Sequence, residues 1–211
     1  MDYITEPTIL RYAPILEKEQ LAPLTFLEGY WQSEKYFQSS ASQIRDELAM
    51  IEPPGGYDRT LRRKIESTAT PVAVHARRLY SLTQGQGADP LSHEDSRSLK
   101  REYYENAITR ILESSPNCHF FCFGDAPEWF AANMPKRVPF TIVDQRHHVA
   151  ASGLHDFWMM RQCRHFVISN STFSWWAAWL GRHPDKMVIC PEAKRWDNQD
   201  TVPSSWTSLT G

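Results

Sequence analysis

From Pro71 to Cys190 the sequence repeats one pattern, and that pattern restricts the fold more than any other feature. Short apolar runs bounded by turn residues recur as "PVAVHARR" (71–78), "CHFFCFG" (118–124), "PFTIVD" (139–144), "HFVIS" (165–169) and "KMVIC" (186–190). Runs of this length, rich in β-branched and aromatic residues, read as strands. Between them lie stretches of helical character: "REYYENAITRILESS", in which Tyr104, Ala107, Ile108, Ile111 and Leu112 share one face, then "APEWFAANM", "GLHDFWMMRQCR" and "STFSWWAAWLG". A helix between successive strands carries the chain back to the same end of the sheet, so the strands run parallel. The expected class is α/β: a Rossmann-like parallel sheet with helices on both faces, spanning 71–211 with a C-terminal tail.

Residues 1–70 read differently, as a helical N-terminal segment. Three helix-like stretches, "TILRYAPILEKE", "EKYFQSSASQIRDELAM" and "YDRTLRRKIEST", occur there without a convincing βαβ unit. "IEPPGGYD" (51–58) holds two prolines and two glycines and reads as a turn rather than a domain boundary. "SLTQGQGADPLSHEDS" (81–96) is polar and aperiodic, and follows the first strand of the repeat. Such a loop covers a site or is plain surface.

A chain of 211 residues suits one sizeable domain, or one with a small appendage. Its net charge of -2 removes the argument for nucleic acid as a partner, because no basic excess exists to neutralise a phosphate backbone. No stretch approaches the roughly 18 apolar residues of a membrane span, and "MDYITEPTIL" lacks the basic and apolar regions of a leader. A soluble, cytoplasmic chain is expected. The four cysteines, Cys118, Cys122, Cys163 and Cys190, show no zinc-ligand spacing and read as buried, reduced thiols.

In open α/β sheets ligands gather at the carboxyl ends of strands, so chemistry is sought there. The first strand of the repeat ends in His75, Arg77 and Arg78, with His75 and Arg77 on one face. Guanidiniums at a strand end need partners, and both a diphosphate and a surface ion pair with a nearby Glu meet that need. After "HFVIS", the residues Asn170, Ser171, Thr172 and Ser174 occupy a strand-to-helix turn. There the free N–H groups and the helix dipole favour an anion. An N-cap alone needs one hydroxyl, and this turn offers several polar groups. Trp175, Trp176 and Trp179 read chiefly as packing residues. Asp125 and Asp144 end strands as helix caps or nucleotide contacts, the cap being favoured for Asp125. Asp156 orients a base or ribose, or merely favours its helix start. With no Asp-x-Asp in the sequence, a metal–diphosphate clamp is unsupported, and the arginines are left to neutralise the leaving charge. A Rossmann-type hydrolase fits poorly, since no Gly-x-Ser-x-Gly elbow is present.

Five blocks, "GYWQSEKYF", "VAVHARR", "FCFGDAPEW", "HDFWMMRQCRHFVISNSTFSWWAAWLG" and "KMVICPEAKRW", resemble in order those of glycosyltransferase family 11, the α-1,2-fucosyltransferases. The resemblance covers about residues 25–206, and "SNSTFSWWAAWL" is its most specific block. It implies a GT-B-like fold and inverting transfer of L-fucose from GDP-fucose to the 2-hydroxyl of a galactose-terminated glycan, without metal or other cofactor. Membrane-associated glycolipids belong to the same acceptor class and would place the chain at a membrane periphery. The resemblance implies that His75, Arg77 and Arg78, matching His-x-Arg-Arg, hold the GDP diphosphate, with Arg77 as the catalytic residue. Asn170, Ser171, Thr172 and Ser174 match the turn beside the nucleotide, and Asp156 matches a guanine-reading position. The family continues His-x-Arg-Arg with Gly-Asp, whereas Leu79 and Tyr80 stand here, so no base is assigned. The family's Gly-rich first βα unit has no counterpart before "GYWQSEKYF", implying a chain without most of the N-terminal Rossmann half. Residues 1–70 are then a remnant of the acceptor-side half. The open sheet edge favours an oligomer, and a non-catalytic GDP-sugar-binding domain stands beside the enzyme as the alternative.

Overall fold

The computed structural model describes residues 1–16, 21–49, 59–78, 96–144 and 152–210. The turn at 51–58, Leu79, Tyr80 and the polar loop at 81–96, Ser96 apart, lie outside the described residues.

All five expected strands form, together with others. In chain order the strands are β1 (Asp2–Thr5), β2 (Thr25–Glu28), β3 (Pro71–Ala76), β4 (His119–Gly124), β5 (Phe140–Ile142), β6 (His165–Val167), β7 (Val188–Pro191) and β8 (Thr207–Leu209). The last six make one sheet in the order β5-β4-β3-β6-β7-β8, every neighbouring pair parallel. The chain therefore starts at the centre, builds outward to β5, and returns to the other side of β3 with β6. Counted within this sheet the order is 3-2-1-4-5-6, that of dinucleotide-binding folds, whose direction reverses between the first and fourth strands. That switch point lies between β3 and β6.

The helices are α1 (Ala41–Glu47), α2 (Arg59–Ser67), α3 (Arg101–Ser114), α4 (Pro127–Asn133), α5 (Ser152–Arg161) and α6 (Thr172–Leu180). Period-2 alternation sends Val72, Val74 and Ala76 of β3, with Phe120 and Cys122 of β4, to the face covered by α3 and α4. Ala73, Phe121 and Phe123 face α2, α5 and α6. α3 presents Tyr103, Tyr104, Ala107, Ile108 and Ile111 to the first layer, a helical stripe that supplies the burial holding it there. The Tyr103 hydroxyl donates to the carbonyls of Ile168 at 2.6 Å and Ile189 at 3.3 Å, so its burial leaves no polar atom stranded. All four cysteines are free and buried, and burial pushes the Cys118 thiol up to about 11 and the Cys190 thiol up to about 12.

The N-terminal segment meets the helical expectation in part: the third stretch forms α2 and the second contributes α1, but the rest departs from it. Residues 8–16 form no helix: Pro14 removes an N–H and biases Ala13 away from helical backbone. The amides instead find tertiary acceptors, Tyr12 N–H donating to Asp200 Oδ2 at 3.0 Å and Ala13 N–H to the Tyr36 hydroxyl at 3.1 Å. β1 and β2 pair parallel, Asp2 opposite Thr25 through Thr5 opposite Glu28. Residues 34–49 break into two 3-10 turns followed by α1. Phe37, Ala41 and Ile44, with Leu61 and Ile65 of α2, pack into the core beneath α5 and α6. No helix among the described residues is long and apolar enough to cross a membrane.

Candidate functional site at the strand switch point

The register of β3 on β6 runs from Val72 opposite His165 to Val74 opposite Val167, so Arg77, just past the end of β3, and Asn170, three residues past β6, follow neighbouring strands at the same end of the sheet. The two motifs, 94 positions apart at His75 and Ser169, are joined directly: His75 Nδ1 lies 2.9 Å from Ser169 Oγ. His75 is only 5% exposed, its ring 5.5 Å from that of Phe173. Burial, with the Arg77 charge adding to it, pulls its pKa down to about 3. The imidazole is thus neutral at neutral pH and brings hydrogen bonding, not charge, to the crevice.

The two arginines have different surroundings. Arg78 is 6% exposed, its guanidinium 4.9 Å over the Trp129 ring and donating to Leu99 O at 2.9 Å. The Arg77 side chain is 46% exposed, with Nε 3.2 Å from Asp125 Oδ2. Asp125 also accepts the Arg78 N–H on Oδ1 at 2.8 Å. It was expected to cap the helix that follows it, yet the N-cap of α4 is Ala126 and makes no side-chain hydrogen bond. Asp125 instead clamps the end of β3. The close approach it needs is made by Gly124, where an added Cβ would meet Ala76 O at 2.2 Å.

The strand-to-helix turn forms as its composition predicts, with Ser171 at the N-cap of α6 in extended backbone. Its hydroxyl does not cap the helix, and Thr172 stands exposed beside it. A first helical turn leaves N–H groups without intrahelical acceptors, and here Ser171 and Thr172 add uncommitted hydroxyls. The other two polar residues are committed. Asn170 Nδ2 donates to Arg97 O at 3.1 Å and Arg195 O at 3.3 Å. Ser174 is fully buried, its hydroxyl donating to the carbonyls of Ser171 and Ser169 at 3.2 and 3.4 Å.

Asp156 lies in the second turn of α5, half-buried, with Oδ1 shut off from solvent and without a hydrogen-bond partner. Burial and then the charge of Asp144 raise its pKa to about 7. Sequence reasoning missed two organising residues. In the sequence Ser169 is only the end of the strand run "HFVIS", and Arg195 has no assigned role. Arg195 Nη2 in fact gathers the carbonyls of Ser96, Arg97 and Ser98 at 3.0–3.2 Å. The position of Arg195 within the fifth block was the one available signal.

The comparisons with known proteins agree with this architecture. The family model described as glycosyl transferase family 11 matches residues 21–209. An alpha-1,2-colitosyltransferase of Escherichia coli is 26% identical over 190 residues, covering 86% of this chain and 61% of the relative. The O-antigen biosynthesis glycosyltransferase WbnK of Escherichia coli is 28% identical over 152 residues, covering 70% of this chain and 47% of the relative. The chain thus spans about half to three-fifths of the length of these curated relatives. No solved structure matches it. With a family match over nearly its whole length and the strand order of a nucleotide-binding sheet beneath it, the chain belongs to glycosyl transferase family 11.

Proposed function

We propose that this chain binds a GDP-linked 6-deoxy sugar, GDP-L-fucose in the first instance, and transfers the sugar to the 2-hydroxyl of a terminal galactose with inversion and without metal. Family membership supports the reaction type, and the name of the colitosyl relative supports a 1,2 linkage and a deoxy-sugar donor. The observation that carries the reading is Arg77: a half-exposed guanidinium, held by Asp125 at the end of β3, whose neighbour β6 leads into the turn that opens α6. In the proposed step the acceptor hydroxyl oxygen attacks the anomeric carbon in line as the bond to the β-phosphate oxygen breaks, GDP leaves with that bond's electron pair, and the hydroxyl proton passes to water. Arg77 and the first turn of α6 meet the charge that develops on the diphosphate. His75 and Arg78, both buried, brace the strand end on which Arg77 stands, and Asp156 receives the guanine N–H groups.

Calorimetric titration of GDP in the absence of metal tests the donor site. Arg77→Ala is expected to lose about 1.5–3 kcal/mol, tenfold or more in affinity. A folded wild-type chain that fails to bind GDP would refute the reading. A second reading, a GDP-sugar-binding domain without turnover, is favoured by one observation, the partial coverage of the relatives. Release of GDP from GDP-fucose in the presence of a galactose-terminated acceptor separates the two.

A further inference from the structure

We propose that a second site, a cavity of about 240 Å³ between the Tyr30–Ser33 loop and the first turn of α6, seats a single neutral hexopyranose ring. The inference rests on the sugar-transfer reading above and adds where the sugar sits.

Size and charge select the ligand. The volume falls below the roughly 300–1,000 Å³ of sites for drug-sized molecules, enough for one ring and too little for a nucleotide. None of the lining side chains carries a formal charge at neutral pH, so a diphosphate has no counter-ion there. The walls are the aromatic rings of Trp31, Phe37, Trp175 and Trp176, with Phe37 and Trp176 stacked at 5.4 Å and 19°. The Tyr30 hydroxyl, the Gln32 amide and the Thr172 hydroxyl stand at the rim and make no hydrogen bond within the described residues. A pyranose presents the matching surfaces, an apolar C–H face for the rings and a circle of hydroxyls for the rim.

The loop is built to hold this shape before any ligand arrives. Glu6, 8% exposed, accepts the N–H groups of Tyr30 and Trp31 on Oε2 at 2.8 and 3.2 Å. Gly29 allows that carboxylate in, since an added Cβ would meet Glu6 Cβ at 2.4 Å. Trp31 has φ of 50°, the one non-glycine residue with positive φ among the described residues. For an aromatic residue that conformation is costly and persists only where its surroundings impose it. Opposite the loop, Ser33 Oγ donates to Asp200 O, Thr201 Oγ1 to Gln32 O and Trp175 Nε1 to Thr201 O, each at 2.8 Å. Loop, tail and α6 are thereby locked into one rigid seat.

Two sugars of this chemistry enter the reaction, that of the donor and the terminal residue of the acceptor. Saturation-transfer NMR with L-fucose and with methyl β-galactopyranoside, on the full chain and on its Tyr30→Ala and Gln32→Ala variants, distinguishes them, with GDP titrated in parallel. We expect one sugar to bind, each variant to weaken it about tenfold, and GDP affinity to stay unchanged. Loss confined to L-fucose assigns the seat to the donor, and loss confined to the galactoside assigns it to the acceptor. GDP binding with no sugar bound, or with sugar binding that both variants leave intact, overturns the cavity inference and leaves the donor site standing. Variant-sensitive sugar binding without GDP binding upholds the cavity and sinks the donor reading. Both substitutions remove side chains without hydrogen bonds in the fold, so circular dichroism and the melting temperature serve as controls.

Discussion

Asp156 is the residue whose chemistry depends most on its surroundings. At a pKa of about 7 its carboxyl is shared between two protonation states under ordinary conditions. Only the ionised form accepts two N–H groups from a guanine edge, so if it reads the base, affinity for GDP should fall as pH drops through 7 and level off above it. Asp156→Asn should bind GDP more weakly and with a shallower profile between pH 6 and 8, the remaining slope being that of the terminal phosphate of GDP, which itself ionises at about pH 6. Titrations at three pH values decide this, and an unchanged slope in the variant would remove Asp156 from the nucleotide site. Gly124 makes a simpler case. A methyl group there meets a backbone oxygen that cannot move without distorting β3, so Gly124→Ala is predicted to destabilise the fold by about 2 kcal/mol or more. A urea melt with the midpoint of wild type would contradict the packing described. Sequence reasoning named residue types for the crevice, but not which of them face it. Ser174 lies three residues past the N-cap, on the turn of α6 that faces the sheet, and nothing in "NSTFS" distinguishes it from Thr172.

Among the elements, α6 links both candidate sites, its first turn serving the crevice on one side and the cavity on the other. Its position is set at the far end. Lys186 Nζ donates to the carbonyls of Ala178, Trp179 and Gly181 at 2.7, 3.0 and 2.7 Å, and the Arg45 guanidinium stacks 4.1 Å over the Trp179 ring. Cations at a helix C-terminus satisfy its orphan acceptors and oppose its dipole. Lys186→Met keeps the aliphatic stem and removes all three bonds; Trp179 O keeps Arg45 Nε at 3.3 Å and Ala178 O the Gly181 N–H at 3.3 Å, while Gly181 O loses its donor, with an expected loss of about 1–3 kcal/mol. Calorimetric melting checks it, and a Tm within a degree of wild type would show that Arg45 alone suffices. The helix itself was legible from "STFSWWAAWLG" with Gly181 as its stop. The reading of the tryptophans as packing holds for Trp175 and Trp179, whose indole N–H groups are bonded inside the protein to Thr201 O and Glu34 Oε2. Trp176, half-buried, packs against the same core and stacks on Phe37, and with Trp175 it also forms part of a cavity wall that only the tertiary structure brings together.

At the level of the molecule, the central sheet was readable because five of its six strands are apolar runs, the four inner ones, β4, β3, β6 and β7, buried on both faces as parallel strands are. β8 escaped notice because "TSL" holds one apolar residue and lies at the edge, half-exposed. β1 and β2 escaped because each is four residues long and stabilised by pairing across a distance that no local pattern encodes. The two assemblies also differ in stability. The amides of β3, β4 and β6 lie inside a six-stranded sheet between two cores. The β1–β2 pair leaves Tyr3, Phe26 and Leu27 exposed. Hydrogen exchange should therefore show β1 and β2 opening well before the central strands, and equal protection would refute the separation.

The strand order has a further consequence, for how the molecule is made. During synthesis β3 gains β4 and then β5 on one side, while its other edge waits for β6, about ninety residues downstream. Until that segment leaves the ribosome, a strand that is apolar on both faces has an open hydrogen-bonding edge, the condition under which nascent chains pair with one another. The arrival of β6 closes the edge and completes the His75–Ser169 contact in the same event. The candidate crevice is thus completed by the pairing that closes this edge, and a chain ending before residue 165 is expected to be insoluble on expression and to lack the His75–Ser169 contact.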